Sequence, residues 1–200
     1  MSVFTNAQKW VGAPLRRLFG IRREGMENTE LKPPFVLCSN HRSDFDPIIL
    51  GASLPFDLKF MAKEELFRVP VLRGIIRAFG AFPVSRGRHD SAALGKATEV
   101  LKSGQVLAMF PEGHRQKNSA VMQPFKSGAV LFAAQAGVPI LPVMILAHGH
   151  VRMFGHNVVR VGKPVTAAEL GVAEINGESL RAAREVLRAR MTALADSAAW

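Results

Sequence analysis

Short apolar runs alternate with longer segments of helical periodicity along most of the chain. The unbroken apolar run FVLCS predicts a buried strand at residues 35–39. By the same reasoning, further strands are predicted at 57–62, 81–86, 105–110, 139–147 and 157–162. Helices are predicted between or after these strands, at 46–53, 67–80, 91–104, 126–137 and 178–196. Strands that alternate with helices indicate a single α/β domain with a largely parallel central sheet and flanking helices.

The longest apolar run, residues 129–147, is close in length to a membrane-spanning helix of roughly 20 residues. Gly137, Pro139 and Pro142 lie in its middle, where they would end or break such a helix. We therefore expect a buried helix up to Ala136, then a glycine turn, and then a strand that begins near Ile140.

The N-terminal segment interleaves apolar side chains such as Trp10 and Phe19 with arginines that include Arg16 and Arg23. This composition suits a segment that lies in the membrane interface. An ordinary amphipathic helix that packs on the domain explains the same pattern equally well. We accordingly divide the chain into an N-terminal amphipathic membrane-interface segment, residues 1–25, and a domain at residues 26–200.

The chain of 200 residues carries 26 Lys and Arg against 16 Asp and Glu, which gives a formal net charge of +10. Such a surface attracts anionic partners, chiefly nucleic acid or an anionic membrane. The chain has no tyrosine, no aromatic-rich RNA-binding strand and no zinc-finger spacing, so we expect no nucleic-acid partner. Its one cysteine, Cys38, cannot form an internal disulfide and is expected to be a small core residue.

Polar residues interrupt the apolar pattern in the stretch LCSNHRSDFDPIIL, residues 37–50, at a predicted junction between a strand and a helix. His41 would stand there at the carboxyl end of the strand, where sites collect in open α/β sheets. Asn40 and Ser43 favour a turn, and Asp46 before Pro47 suits the N-cap of the helix. Bent back by the turn, Asp46 would accept the proton of one imidazole nitrogen and leave the other nitrogen free as a base.

The sequence contains no enzyme nucleophile to match this base. The G-x-S-x-G motif is absent, and Cys38 lies inside the predicted strand. The substrate would then supply the nucleophile, with His41 deprotonating a hydroxyl that attacks an acyl donor directly. A buried or capping His–Asp pair with a purely structural role is the alternative reading of this motif.

Basic groups recur after other predicted strands. Arg86 stands at the end of the strand predicted at 81–86, and Glu112, Gly113 and Arg115 follow the strand at 105–110. Arginine suits phosphate binding, and Gly113 permits a positive φ or a close backbone approach. Glu112 would orient an arginine or bind a substrate hydroxyl. Lys126, which leads into a predicted helix, adds a further cation at a favourable anion site.

These motifs resemble those of a known family. NHRSDFD resembles the N-H-x-S-x-x-D block of the PlsC-type lysophospholipid acyltransferases, which act on 1-acyl-glycerol-3-phosphate. Three later stretches resemble the further blocks of this family in the same order: KEELFRVPVLRGIIRAFGAFPVSR, FPEGHR and VPILPV. The resemblance extends over roughly residues 33–165, and several blocks in order are far more specific than one His–Asp spacing.

The resemblance implies an enzyme that moves a fatty acyl group from acyl-CoA or acyl carrier protein to the free hydroxyl of 1-acyl-glycerol-3-phosphate, giving phosphatidic acid. His41 would be the general base, and Asp46 would orient it, with Asn40 and Ser43 as supporting residues of the motif. The resemblance assigns acceptor and phosphate binding to residues of the second and third blocks, here Arg86, Glu112, Gly113 and Arg115. No metal or redox cofactor is expected, since His41 and Asp46 lack companion ligands at any recognisable spacing.

The expected partners are therefore a lysophospholipid acceptor, the acyl donor and an anionic membrane surface, to which lysines and arginines are attracted. The expected location is the cytoplasmic face of a membrane, with peripheral or monotopic attachment. The third block of the family usually reads F-P-E-G-T-R-S, whereas His114 and Gln116 replace the threonine and serine here. This departure leaves the acceptor open, and another lysolipid, such as an amino-acid lipid or glycolipid, is the alternative. A catalytically silent membrane-bound relative of the same fold is a separate alternative.

Overall fold

A computed structural model of the chain describes residues 3–196 except 69, 79, 85–90, 117–121 and 148. The α-helices in this part of the chain are α1 (Val3–Leu18), α2 (Asp46–Ser53), α3 (Pro70–Ala78), α4 (Ser91–Lys102), α5 (Gly128–Ala136) and α6 (Gly177–Asp196). The strands are β1 (Ile21–Glu24), β2 (Phe35–Ser39), β3 (Leu58–Lys63), β4 (Ala81–Val84), β5 (Val106–Met109), β6 (Ile140–Ala147) and β7 (Asn157–Val161). Short 3-10 helices cover Met26–Glu30 and Glu64–Arg68.

The strands form one seven-stranded sheet in the order β1-β7-β6-β2-β5-β3-β4. Its β6–β7 pair is antiparallel, and the other neighbouring pairs are parallel. The predicted α/β fold with a largely parallel sheet and flanking helices is therefore confirmed. Because β2, β5 and β6 run in the same direction, the segments after Ser39, Met109 and Ala147 open at the same end of the sheet, called here the carboxyl end.

Both faces of the sheet are buried, which explains why β2 is an unbroken apolar run. Phe35 and Leu37 point into one apolar cluster, which includes residues of α2 and the end of α1. Val36 and Cys38 point into the opposite cluster, which is formed with α4, α5 and α6. The alternation of β-strand side chains thus places one helix layer on each face of the sheet.

The apolar run at 129–147 folds as the glycine and prolines predict. Helix α5 ends at Ala136, and Gly137 adopts a left-handed conformation with φ of 63° while its N–H donates to the carbonyls of Ala133 and Ala134. The chain then enters β6 at Ile140. None of the helices in the described part of the chain is long and apolar enough to cross a membrane.

The N-terminal region contributes a strand that the sequence pattern does not predict. β1 has the sequence IRRE, which offers neither an apolar run nor a clean alternation, and it forms by parallel pairing with β7 at the margin of the sheet. Phe19, between α1 and β1, is buried in the core. The membrane role of residues 1–25 stays a prediction.

Candidate active site

The loop between β2 and α2 brings His41 and Asp46 together at the carboxyl end of the sheet. The Nδ1 atom of His41 lies 2.8 Å from Oδ2 of Asp46. Asp46 is fully buried, and 16% of the His41 side chain is exposed. An ionised carboxylate only accepts hydrogen bonds, so Nδ1 carries the proton and Nε2 keeps its lone pair. No residue in the described ranges bonds to Nε2, which leaves this nitrogen available as a base.

The same carboxylate oxygen shapes the loop. Oδ2 of Asp46 also accepts the backbone N–H groups of Arg42 at 2.6 Å and of Ser43 at 2.8 Å. The prediction that Asp46 is the helix N-cap is wrong: Phe45 takes that position, and Asp46 is the first residue of α2. The physical reason is that its carboxylate points back into the loop, where it accepts donors that precede the helix rather than those of the first helical turn.

Asn40 joins the loop to the neighbouring strand β6. Its Oδ1 accepts the N–H of Ile145 at 2.8 Å, and its Nδ2 donates to the carbonyl of Ile145 at 2.9 Å. The buried amide thus continues the pairing of β2 with β6 past the end of β2. Ser43 acts within the turn, where its hydroxyl accepts the N–H of Phe45 at 3.2 Å. Both supporting residues of the motif therefore fix the path of the backbone around His41.

Phe110 covers one face of the His41 ring. The two rings stack with centroids 4.1 Å apart and an interplanar angle of 15°. Phe110 is supported in turn by Phe60, whose centroid lies 5.9 Å away. The imidazole is thus held at its edge by Asp46 and on its face by Phe110. Sequence reasoning did not single out Phe110, although it begins the FPEGHR block.

Glu112, in the turn after the neighbouring strand β5, holds the backbone of the His41 loop. This buried carboxylate accepts the N–H of His41 through Oε1 at 2.8 Å. Its Oε2 accepts the N–H of Gln123 at 3.1 Å and the side-chain amide of Gln116. Gln116 completes the link by donating its own N–H to the carbonyl of His41 at 2.8 Å. Glu112 is therefore a positioning residue for His41, while its predicted contact with the acceptor stays a prediction.

Replacing Glu112 with glutamine is expected to lower the free energy of unfolding by about 1–3 kcal/mol. The amide nitrogen would face the N–H donors of Gln123 and Gln116, so that buried donors would lack an acceptor. We also expect kcat to fall, because Gln116, whose own N–H holds the carbonyl of His41, loses its bond to Glu112. Urea unfolding and steady-state kinetics check both effects, with the exposed Glu27→Gln as the matched control. Equal behaviour of the two variants would contradict the positioning role.

Two predicted cations lie beside this loop. Arg115 forms an ion pair with Asp44, which belongs to the His41 loop but was not predicted as a site residue. The exposed Lys126 passes over Gly113, and its backbone N–H donates to the carbonyl of Pro111 at 2.8 Å. Gly113 has a φ of 76°, and a β-carbon there would lie 2.8 Å from Cε of Lys126. Glycine therefore satisfies both the left-handed backbone and the close approach of the lysine.

The structure thus brings together most of the predicted site residues: Asn40, His41, Ser43, Asp46, Glu112, Gly113, Arg115 and Lys126. Arg86 lies outside the described residues, and its predicted role in phosphate binding stays a prediction. His114 is exposed in the loop that follows Glu112.

Cys38 lies close to His41 in sequence but is unsuited to nucleophilic chemistry. Its side chain is fully buried in the apolar cluster beneath α4 and α5. Burial raises the pKa of the Cys38 thiol far above its ordinary value. Because the thiolate is the reactive form, this thiol is not available to carry an acyl group.

Comparisons with known proteins identify the family of the chain. The chain matches the acyltransferase family model over residues 20–146. It is 31% identical to a chloroplastic 1-acyl-sn-glycerol-3-phosphate acyltransferase of Arabidopsis thaliana, over 83% of this chain and 49% of that protein. It is also 31% identical to a 1-acyl-sn-glycerol-3-phosphate acyltransferase of Bacillus subtilis, over 62% of this chain and 61% of that protein. The chain thus spans about half to three fifths of the length of these relatives.

The fold has a solved counterpart. The crystal structure of the 1-acyl-sn-glycerophosphate acyltransferase from Thermotoga maritima superimposes with a TM-score of 0.72 and 25% identity, covering 100% of this chain and 85% of that chain. The family match runs from the end of the N-terminal helix through nearly all of β6, and it includes His41, Asp46 and Glu112. The chain therefore belongs to the acyltransferase family.

Proposed function

We propose that this chain transfers a fatty acyl group from acyl-CoA or acyl carrier protein to the free hydroxyl of 1-acyl-glycerol-3-phosphate, which yields phosphatidic acid. The observation that carries the proposal is the His41–Asp46 pair, held at 2.8 Å with Nε2 left free, in a loop that has Arg115 and Lys126 beside it. The names of the matched relatives support lysophosphatidate as the acceptor.

In the proposed reaction, Nε2 of His41 removes the proton of the acceptor hydroxyl while the hydroxyl oxygen attacks the thioester carbonyl. The new C–O bond forms first, and the C–S bond of the tetrahedral intermediate then breaks. The imidazolium returns its proton to the departing thiolate, so the donor leaves as a thiol. The buried carboxylate of Asp46 stabilises the imidazolium between these two steps. The mechanism needs no metal or redox cofactor, because the two substrates and the imidazole of His41 supply every group that reacts.

The phosphate of the acceptor would bind the cations beside the His41 loop. Lys126 presents an exposed ammonium group over Gly113, and Arg115 presents a partly exposed guanidinium. The ion pair of Arg115 with Asp44 lies at the surface, where such pairs contribute little free energy. A phosphate dianion can therefore share or replace Asp44 as the partner of Arg115. Arg86, from the second block, is proposed to join the same group.

The proposed location is the cytoplasmic face of a membrane, with peripheral or monotopic attachment. The formal charge of +10 favours an anionic lipid surface, where each nearby Lys or Arg contributes about 1 kcal/mol. The N-terminal segment, residues 1–25, is proposed to lie in that interface, and Arg17 in the last turn of α1 is exposed to meet it.

The test is acyl transfer from labelled acyl-CoA to a panel of lysolipids. The panel contains lysophosphatidate, a lysophospholipid with a substituted phosphate, a monoacylglycerol without phosphate and an amino-acid lysolipid. We expect lysophosphatidate to be acylated with the highest kcat/KM, because its phosphate dianion fits the cations beside His41.

Faster transfer to another acceptor would overturn the acceptor assignment and favour the second candidate, an acyltransferase with a different lysolipid. The replacement of the usual threonine and serine by His114 and Gln116 is the observation that favours this candidate. Transfer to none of the lysolipids, with acyl carrier protein as well as acyl-CoA tried as the donor, would identify a silent relative.

A further inference from the structure

We propose that the loop between β6 and β7 inserts its tip, Arg152, Met153 and Phe154, into an anionic lipid surface. The tip would form a membrane contact beside the end of α1 and close to the His41 loop. The inference rests on the proposed function in one respect: the contact would place a membrane-embedded acceptor at the site. The evidence for the contact itself comes from the structure of the loop.

The tip exposes an unusual amount of apolar surface. Phe154 is 83% exposed, more than any other large apolar side chain in the described part of the chain, and the adjacent Met153 is 48% exposed. Arg152 precedes them and is also exposed. An aromatic ring in water lacks the favourable free energy that burial would provide. Adjacent exposed apolar side chains on a folded loop therefore indicate a binding surface.

The backbone around Phe154 is held by hydrogen bonds in an uncommon conformation. Phe154 has a φ of 54°, a left-handed conformation that bulky residues rarely adopt. Its N–H donates to the carbonyl of Leu18 at 2.7 Å, which ties the tip to the end of α1. The backbone approach is also tight nearby, since a β-carbon on Gly20 would lie 2.0 Å from the carbonyl oxygen of Gly155. The side-chain amide of Asn157 closes the loop by donating to the carbonyl of Arg152 at 3.2 Å. The ring is therefore held outward.

The tip lies at the same end of the sheet as the candidate active site. Because β7 is antiparallel to β6, with Asn157 opposite Ala147, the loop that joins them turns at the carboxyl end. The guanidinium of Arg42 donates to the carbonyl of Gly149 at 2.7 Å, so the residue after His41 is bonded directly to this loop. A surface that meets Phe154 therefore also faces the approach to His41.

The chemistry of the tip fits lipid better than protein. Arg152 flanks the two apolar side chains, and Arg17 is exposed on the neighbouring end of α1. Apolar side chains beside arginines are typical of shallow insertion beneath anionic headgroups. A stable protein interface buries about 800 Å² on each partner, far more than two side chains expose. An anionic membrane surface is therefore the occupant that we assign.

Vesicle flotation of the full chain carrying Phe154→Asn tests the assignment. Asparagine tolerates the left-handed backbone, so thermal unfolding is expected to stay unchanged. Binding to vesicles of phosphatidylcholine mixed with phosphatidylglycerol is expected to fall about tenfold, the loss that corresponds to withdrawing one aromatic ring from an apolar environment. Phe154→Trp should keep the binding of the wild type, and in a chain that also carries Trp10→Phe and Trp200→Phe its emission should shift to the blue on these vesicles. Ile175→Asn is the matched control, because Ile175 is 48% exposed in the segment between β7 and α6.

Unchanged vesicle binding by Phe154→Asn, or an equal loss in Ile175→Asn, would overturn the assignment. A fall in the oligomeric mass of the vesicle-free protein caused by Phe154→Asn would also overturn it, since a second copy would then cover the tip. Flotation requires no catalysis, so it remains decisive if the chain proves to be inactive. Conversely, if vesicle binding contradicts the assignment but acyl transfer is intact, the proposed function still holds.

Discussion

Replacing His41 with alanine is expected to reduce kcat for acyl transfer to lysophosphatidate by about 10²–10⁴-fold, the usual contribution of a general base. The substitution removes the nitrogen that would accept the hydroxyl proton, and the described part of the chain places no second histidine on Asp46. The fold should survive, because the Asp46 carboxylate keeps the N–H donors of Arg42 and Ser43. The measurement is kcat with saturating acceptor, together with circular dichroism to verify the fold.

The matched control for this prediction is His114→Ala, the same substitution at an exposed histidine of the neighbouring loop. His114 lies in the block that carries Glu112 and Arg115 but holds no position in the proton transfer. We expect His114→Ala to retain kcat within about twofold, as is usual for surface substitutions. Wild-type kcat in His41→Ala, or an equal loss in both variants, would contradict the role of His41 as the base.

Asp46→Asn is expected to lower kcat by about 10²–10³-fold, even though the side chain keeps its shape. The amide oxygen would take the Oδ2 position, since the N–H groups of Arg42 and Ser43 point at it together with the His41 ring. The imidazole would stay in place, but the negative charge that stabilises the imidazolium would be gone.

The same substitution should also lower the free energy of unfolding by about 1–3 kcal/mol. Oδ1 of Asp46 is buried and has no hydrogen-bond partner in the structure, so the amide nitrogen would occupy that position as an unpaired donor. Urea unfolding measures this effect, and the rate of acyl transfer measures the other. Asp44→Asn, in the same loop but exposed, should change the unfolding free energy by only about 0.5 kcal/mol or less. A fully active Asp46→Asn enzyme would rule out an electrostatic role for the carboxylate.

The strands and helices could largely be predicted from the sequence because burial dictates their patterns. FVLCS is apolar at every position since both faces of β2 are covered, and Gly137 ends α5 because its backbone is left-handed. β1 was not predicted, because burial does not dictate its sequence. Its residues are mostly charged, and only the partner strand β7 makes them extended.

The His41–Asp46 pair could be predicted from nearby residues, whereas the contacts that hold it in place could not. Turn-forming residues between His41 and Asp46 predict that the two side chains meet, and they do. The contact of Glu112 with the His41 backbone depends on the parallel register that sets Cys38 beside Met109, which no local pattern encodes. The pairing of Arg115 with Asp44 depends on the same register. Contacts of this kind connect distant parts of the sequence and require the assembled sheet.

The most direct measurement of the central claim follows the label of a radioactive acyl-CoA, with and without lysophosphatidate, after an acid quench. Direct transfer with His41 as the base predicts that the protein carries no covalent label at any time. It also predicts that the label appears in phosphatidic acid as soon as the acceptor is added. Label that becomes attached to the protein and then moves into lipid would contradict it. A complete absence of phosphatidic acid with both acyl-CoA and acyl carrier protein as donors would contradict it as well.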